Sequence, residues 1–555
     1  MKKILLIVVF MLLKQLNAQQ LHIKKSPLYE DNKKRSELAM MVSDKQGGVF
    51  AIRPYFAGMM KTKSSKLGYY IEHYNRELKL LKSYTYKLAK NKDIAAAFVN
   101  DTQFYFVEYE KDKKAKKINV IANYTALDEM KFKQKTLFSV PSKNINSFYY
   151  DLMHQSKKDA KLLANVAFSE NKNYALFYFD MFSRKEDTQR VYVLNNKMEL
   201  VWSKEIKFQY KDRNFQVSDF QVSNDGTAYI LGKIHQGGVF NRSYYYQLYK
   251  FNKAGLQGKT PVQSDNYYVS SLKIIKSKSS DAIHIVGFYS QYYARGSYVD
   301  SFDSSVSYSG GSYRVRGVCT YKIDASNMTV KSNRFQKFSS QFIQDKYGKV
   351  RKNSNGRLRN ASVDNIVLRD VFFADNGDMI VTAEEMTTVT TQPAPVAFSS
   401  SYSTSYSNYN SGATSYSYVY GDAMILRLDA TGKLLWSRNI NKNFNTSSPY
   451  DPLSSFSVTA SADKVFLFLT ANKKLGKLSK GRKTFREGFS GVTKYNSKLY
   501  AIQFGKMGDW TLKTIVDNKT SDVIFYSKLG FRMPDNTIYF FGRFRHDKQL
   551  MRIDF

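Results

Sequence analysis

Few residues in this sequence are spaced for catalysis. The six histidines, His22, His73, His154, His235, His284 and His546, never fall at a metal-ligand spacing. Cys319 is the only cysteine, so an intramolecular disulfide is excluded and a buried small side chain is its expected role. The stretch GLQGKT (255–260) has glycines three apart where a phosphate loop needs five, and it sits in a hairpin turn. Paired carboxylates for glycoside hydrolysis could meet at the centre of a ring-shaped fold, but an Asp in this sequence is more often a turn residue. The expectation is a chain with no catalytic residue, no metal and no cofactor.

Positive charge is what the sequence does concentrate. Eighty-five Lys and Arg face 47 Asp and Glu, a formal net charge of +38. Self-repulsion on that scale favours an anionic counterpart. The basic residues crowd three segments. YEKDKKAKK carries Lys111, Lys113, Lys114, Lys116 and Lys117. FIQDKYGKVRKNSNGRLRN carries Lys349, Arg351, Lys352, Arg357 and Arg359. NKKLGKLSKGRKTFREG carries Lys473, Lys474, Lys477, Lys480, Arg482, Lys483 and Arg486. Interleaved with Tyr, such runs suit an anionic polysaccharide, lipopolysaccharide phosphates or nucleic acid, through charge neutralisation and stacking. An evenly solvated basic surface is the competing reading.

The first residues, MKKILLIVVFMLLKQLNAQQ, join a basic start to a ten-residue apolar run, Ile4 to Leu13, too short to span a bilayer. This reads as a signal peptide over 1–18, cleaved after Ala18, with an exported mature chain in the periplasm or at the cell surface. No cysteine follows to carry a lipid anchor, and no later run is long enough for a transmembrane helix. Removing the three signal lysines lowers the charge from +38 to +35. The mature chain is expected to be monomeric.

The elements that must position any site are strands. Tyr (42) and Phe (39) are abundant, and both favour strands. FQVSNDGTAYILGK (220–233), VFFADNGDMIVTAE (371–384) and LGFRMPDNTIYFFG (529–542) share one plan, an apolar strand, an Asn/Asp/Gly turn and a β-branched or aromatic strand. Second hairpins follow, such as VYVLNNKMELVWSKEI (191–206) and MILRLDATGKLLWSRNI (424–440). Four strands per unit, without helical periodicity, predict an all-β chain. It is a single β-propeller over 19–555 of about eight four-stranded blades, with seven as the alternative. The last unit (523–555) has three strands, so the N-terminal QLHIKKSPLY (20–29) is expected to supply the fourth and close the ring.

LDATGKLLWS (428–437) resembles the tryptophan-docking repeat of pyrroloquinoline-quinone-type propellers, with copies at Trp202 and Trp510. The chain also resembles the outer-membrane-assembly scaffold propellers that share that repeat. The resemblance implies that Trp202, Trp436 and Trp510 wedge neighbouring blades together. Quinone dehydrogenases of that kind need a vicinal cysteine pair, which one cysteine cannot provide. Connections between second and third strands share one face of a propeller with those between blades. The Ser/Tyr-rich insertions 290–317 and 385–421 and all three basic segments are expected on that face, where binding loops reside. The resulting expectation is an exported, non-catalytic propeller that binds an anionic polymer or envelope component. A protein-interaction scaffold of the cell envelope is the alternative, and a carbohydrate-active enzyme ranks behind both.

Overall fold

A computed structural model describes residues 21–30, 36–57, 66–142, 164–181, 186–211, 214–236, 244–264, 266–276, 282–293, 313–349, 351–352, 358–359, 362–391, 415–447, 451–487 and 491–555. The signal-like segment lies outside the described residues.

The second and third strands of a blade are packed on both sides, so they are near-continuous apolar runs. Every residue of Val49–Phe56 is buried. The fourth strands alternate with solvent, as in Leu80–Lys87 and Val330–Lys337. Each blade is an antiparallel sheet whose fourth strand lies outermost, and the first strands of blades 1 to 6 border a central cavity.

Seven blades each come from one stretch of chain: 40–87, 92–141, 164–208, 215–262, 268–337, 366–440 and 456–517, numbered blades 1 to 7 below. Strand pairs Ile524–Phe525 and Phe531–Arg532 lie beside Ile538–Phe544, which pairs with Asp547–Asp554. His22–Lys25 then pairs antiparallel with that last strand, His22 opposite Asp554 and Lys25 opposite Met551. This composite sheet closes the ring with the N-terminal strand, as expected. Seven, the alternative count, is the number of blades of continuous chain; the count of about eight included the composite sheet.

Apolar clusters fill each gap between neighbouring sheets. Blade 7 meets the closing sheet through Phe468, Leu499, Phe540 and Met551. The closing sheet meets blade 1 through Tyr539, Phe541, Val49 and Tyr74. Buried charge reinforces that seam, where Glu72 holds the Arg53 guanidinium at 2.8 Å and the Lys548 ammonium at 2.6 Å.

Trp202 and Trp436 are both 6% exposed between blades. The Trp202 indole donates to the Gly226 carbonyl of blade 4 at 3.0 Å, and the Trp436 indole to the Lys506 carbonyl of blade 7 at 3.1 Å. Gly508 (φ +80°) sits against Trp436 so closely that a Cβ there would come within 2.9 Å of the ring. Trp510 departs from the expectation. It begins the outer strand of blade 7, is 36% exposed and is no wedge.

A second departure, from a sequence read as lacking helical periodicity, is an α-helix, α1 (Ser340–Tyr347), between blades 5 and 6. Ser339 caps its N-terminus by accepting from the Phe342 N–H, and Gly348 (φ +73°) ends it. Phe342 and Ile343 anchor it under the ring's edge.

Candidate anion-binding face

The third basic segment is a strap. It leaves blade 7 after Asn472 and returns at Ser497. On the way, Gly476–Lys477 pairs with Lys483–Thr484, and Lys483–Arg486 runs parallel to Lys442–Thr446, which extends blade 6. Lys480 (φ +60°) and Gly481 (φ +70°) turn the chain between them.

Two side chains pin the strap. Phe485 is buried in the cluster between blades 6 and 7, edge-on to Tyr500. The Arg482 guanidinium donates to the Asp345 carbonyl at 3.2 Å and to the Lys346 carbonyl at 2.5 Å. Asp345 in turn accepts from Arg438 of blade 6 at 2.6 Å. The ammonium of Lys346 bridges Glu385 at 2.7 Å and Asp422 at 3.0 Å. Arg482 is therefore half-buried and committed to main-chain oxygens, a correction to its place among the ligand-facing cations. Lys473, Lys474, Lys477, Lys480, Lys483 and Arg486 are exposed. No ion pair joins Lys474, Lys477, Lys480, Lys483 or Arg486 to a described residue.

Lys111, Lys113, Lys114 and Lys116 are exposed on the turn between the second and third strands of blade 2, and Lys117 is half-buried as that third strand begins. Asp112 fixes the turn by accepting from the Ala115 N–H at 2.9 Å. This turn opens at the same end of the ring as the strap. The closing sheet and blade 1 stand between them, so no contact joins the two. Lys349 is exposed just past α1, and Arg351–Lys352 pairs with Leu358–Arg359 in a small hairpin. The side chains of Arg351, Lys352 and Arg359, and all of Arg357, lie outside the described residues, as do 294–312 and 392–414 of the two insertions.

Beneath the strap lies a buried ionic cluster that the sequence reading missed. Glu384 is fully buried in the middle of the second strand of blade 6. It accepts from Ser455 at 2.8 Å and from the Arg369 Nε at 2.7 Å, and Lys442 stands 2.5 Å away. Burial alone would raise the Glu384 pKa; Arg369 and Lys442 outweigh it and hold the carboxyl below its ordinary value. Burial lowers Lys442. Lys528, from the closing sheet, reaches the Tyr420 hydroxyl at 3.2 Å and lies 4.9 Å over its ring. Burial, then repulsion by Arg369, pushes Lys528 down to about 8. Arg369 and Lys442 also lie within 5.7 Å of the Tyr420 ring centre. The one sequence signal was an acid, Glu384, inside a strand of apolar residues and threonines. Its partners come from segments up to 144 positions away and could not be paired by eye.

At the opposite end, the turns between first and second strands surround a cavity of about 830 Å³. The carboxylates on its wall, Glu170 and Asp375, are engaged by the Asn224 and Asn536 amides respectively. Among the described residues, no helix is long and apolar enough to cross a membrane.

No family model and no curated protein matches the sequence. Solved structures do resemble the fold. A polysaccharide lyase is similar at 11% identity and a TM-score of 0.36, over 96% of this chain and 99% of that one. A europium-containing methanol dehydrogenase is similar at 9% identity and a TM-score of 0.37, over 92% and 85%. The β-propeller domain of the Trilobed protease from Pyrococcus furiosus is similar at 10% identity and a TM-score of 0.31, over 73% and 92%. For the acylaminoacyl peptidase from Pyrococcus horikoshii the chain spans 59% of that protein's length. Likeness of this degree says nothing of activity.

Proposed function

We propose that this propeller is an exported binding module that holds an anionic polymer, such as an acidic polysaccharide or lipopolysaccharide, on the face carrying the strap. One observation carries the reading: the strap presents exposed cations from a backbone fixed at Phe485 and Arg482. A flexible lysine-rich loop would lose entropy on binding, whereas a fixed one has lost it on folding. Neutralised anions release counterions, so affinity must fall with salt. The basic turn at Lys111–Lys117 opens at the same end and lengthens the track for a polymer.

The test replaces Lys474, Lys477, Lys480, Lys483 and Arg486 together by Gln and measures binding to heparin, lipopolysaccharide and DNA at two salt concentrations. Wild type should bind at low salt with a steep salt dependence. The variant should bind more weakly, with a flatter dependence and an unchanged melting temperature. Equal binding by both, or by neither, removes this reading and leaves a protein scaffold of the envelope in front.

A further inference from the structure

The cavity at the other end of the channel has no part in that reading. Blades 1 to 6 and the closing sheet each bring the end of their first strand, or the turn after it, to its wall. Its volume, about 830 Å³, lies within the usual range for small-molecule pockets, roughly 300–1,000 Å³. Phe98, Phe168, Val371 and Met533 give it apolar surface.

The charged groups on the wall differ in how they are satisfied. Lys45, Lys172, Lys276 and Arg532 face the cavity, against Glu170 and Asp375. Two of these cations are neutralised from behind, Lys45 by Asp101 at 2.8 Å and Arg532 by Asp370 at 3.1 Å. Arg532 also lies flat on Phe372, 3.3 Å from its ring centre. Both wall carboxylates hydrogen-bond asparagine amides. Lys172 is different. Its Nζ lies 5.5 Å over the Phe168 ring, and although the residue as a whole is exposed on the cavity wall, wall atoms crowd its ammonium. Burial lowers its pKa, and Glu170 opposes that shift without cancelling it. An anion in the cavity would restore what burial takes from the ammonium.

We propose that this end of the channel is a second binding site, for a small amphiphilic anion: one carboxylate or sulfonate on a ring or short apolar body. The acidic group pairs with Lys172 and Lys276, and the apolar body lies against Phe168 and Phe98. The wall is rigid because the turns that form it are internally bonded. Asp225, for example, accepts from the Thr227 N–H at 3.0 Å. The site therefore exists before the ligand arrives.

The test uses 1-anilinonaphthalene-8-sulfonate, an apolar sulfonate that fluoresces in dry surroundings, with neutral N-phenyl-1-naphthylamine as its uncharged counterpart. Lys172 has φ +61°, a conformation asparagine adopts readily, so Lys172→Asn removes the charge without disturbing the turn. The sulfonate should saturate one site per chain. Lys172→Asn should weaken it five- to tenfold with the melting temperature unchanged or raised, and Lys276→Gln should weaken it two- to fivefold. The neutral probe should bind more weakly and ignore both substitutions. The five-residue strap variant should bind the sulfonate like wild type. Absence of saturable binding overturns the site, and so does equal affinity in wild type, Lys172→Asn and Lys276→Gln. Loss of binding in the strap variant alone would move the site to the other face.

Discussion

Arg482 donates to the main-chain carbonyls of Asp345 and Lys346, more than 130 positions earlier in the chain. That contact ties an excursion from blade 7 to the helix that follows blade 5, across the whole width of blade 6. The same helix sends Asp345 to Arg438 and Lys346 to Glu385 and Asp422, so strap, helix and blade share one network.

Removing the guanidinium should release the strap. Arg482→Ala is expected to cost about 1–2 kcal/mol, the range for charge-assisted hydrogen bonds on a half-buried group. Lys483→Ala, one position on and exposed, should fall within about 0.5 kcal/mol of wild type. Urea denaturation of the two variants separates a structural arginine from its solvated neighbour. Equal costs would mean that the strap is held by Phe485 alone.

The tryptophans give a second contrast. Trp436 is wedged against Phe504 and Gly508, with its indole satisfied by the Lys506 carbonyl. Trp436→Ala should cost about 3–5 kcal/mol, as for a large aromatic removed from a core. Trp510→Ala, on an outer strand, should cost less than about 1 kcal/mol. Calorimetry on both variants checks the pair, and a large loss at Trp510 would show that it docks a blade after all.

These residues also mark how far sequence reading could reach. The strands were legible because a Tyr- and Phe-rich chain punctuated by Asn, Asp and Gly has few other ways to fold, and a three-strand final unit demanded a partner. Trp202, Trp436 and Trp510 follow similar turns, so their sequence register is alike. What differs is the neighbouring blade each meets, which depends on the ring. The strap was legible as a basic run but not as strands, because its pairing with Lys442–Asn443 is parallel and non-local. Arg482 looked like one cation among seven; only its carbonyl partners, remote in sequence, set it apart. Glu384 failed for the same reason: a buried acid is recognisable, but its compensating cations are fixed only by closure.

The last prediction turns on a carboxyl buried between blades 4 and 5. Asp219, in the first strand of blade 4, accepts from the Ile274 N–H of blade 5 at 2.7 Å. Burial raises its pKa from 3.8 to about 6, against the pull of Lys273 and of backbone donors at Ile274 and Phe220. A raised carboxyl binds its proton more tightly folded than unfolded. Its favourable contribution is complete below about pH 4 and is lost as the pH rises through about 6. At pH 7 the native protein carries a desolvated carboxylate, and a shift of about two units corresponds to roughly 3 kcal/mol. Asp219→Asn keeps the shape and the acceptor for the Ile274 N–H without the charge. The variant should exceed wild type by about 1–3 kcal/mol at pH 7 and match it near pH 4. Melting temperatures of both proteins between pH 4 and 8 provide the check. A variant that falls further below wild type as the pH rises would mean that Lys273 stabilises the carboxylate more than burial penalises it.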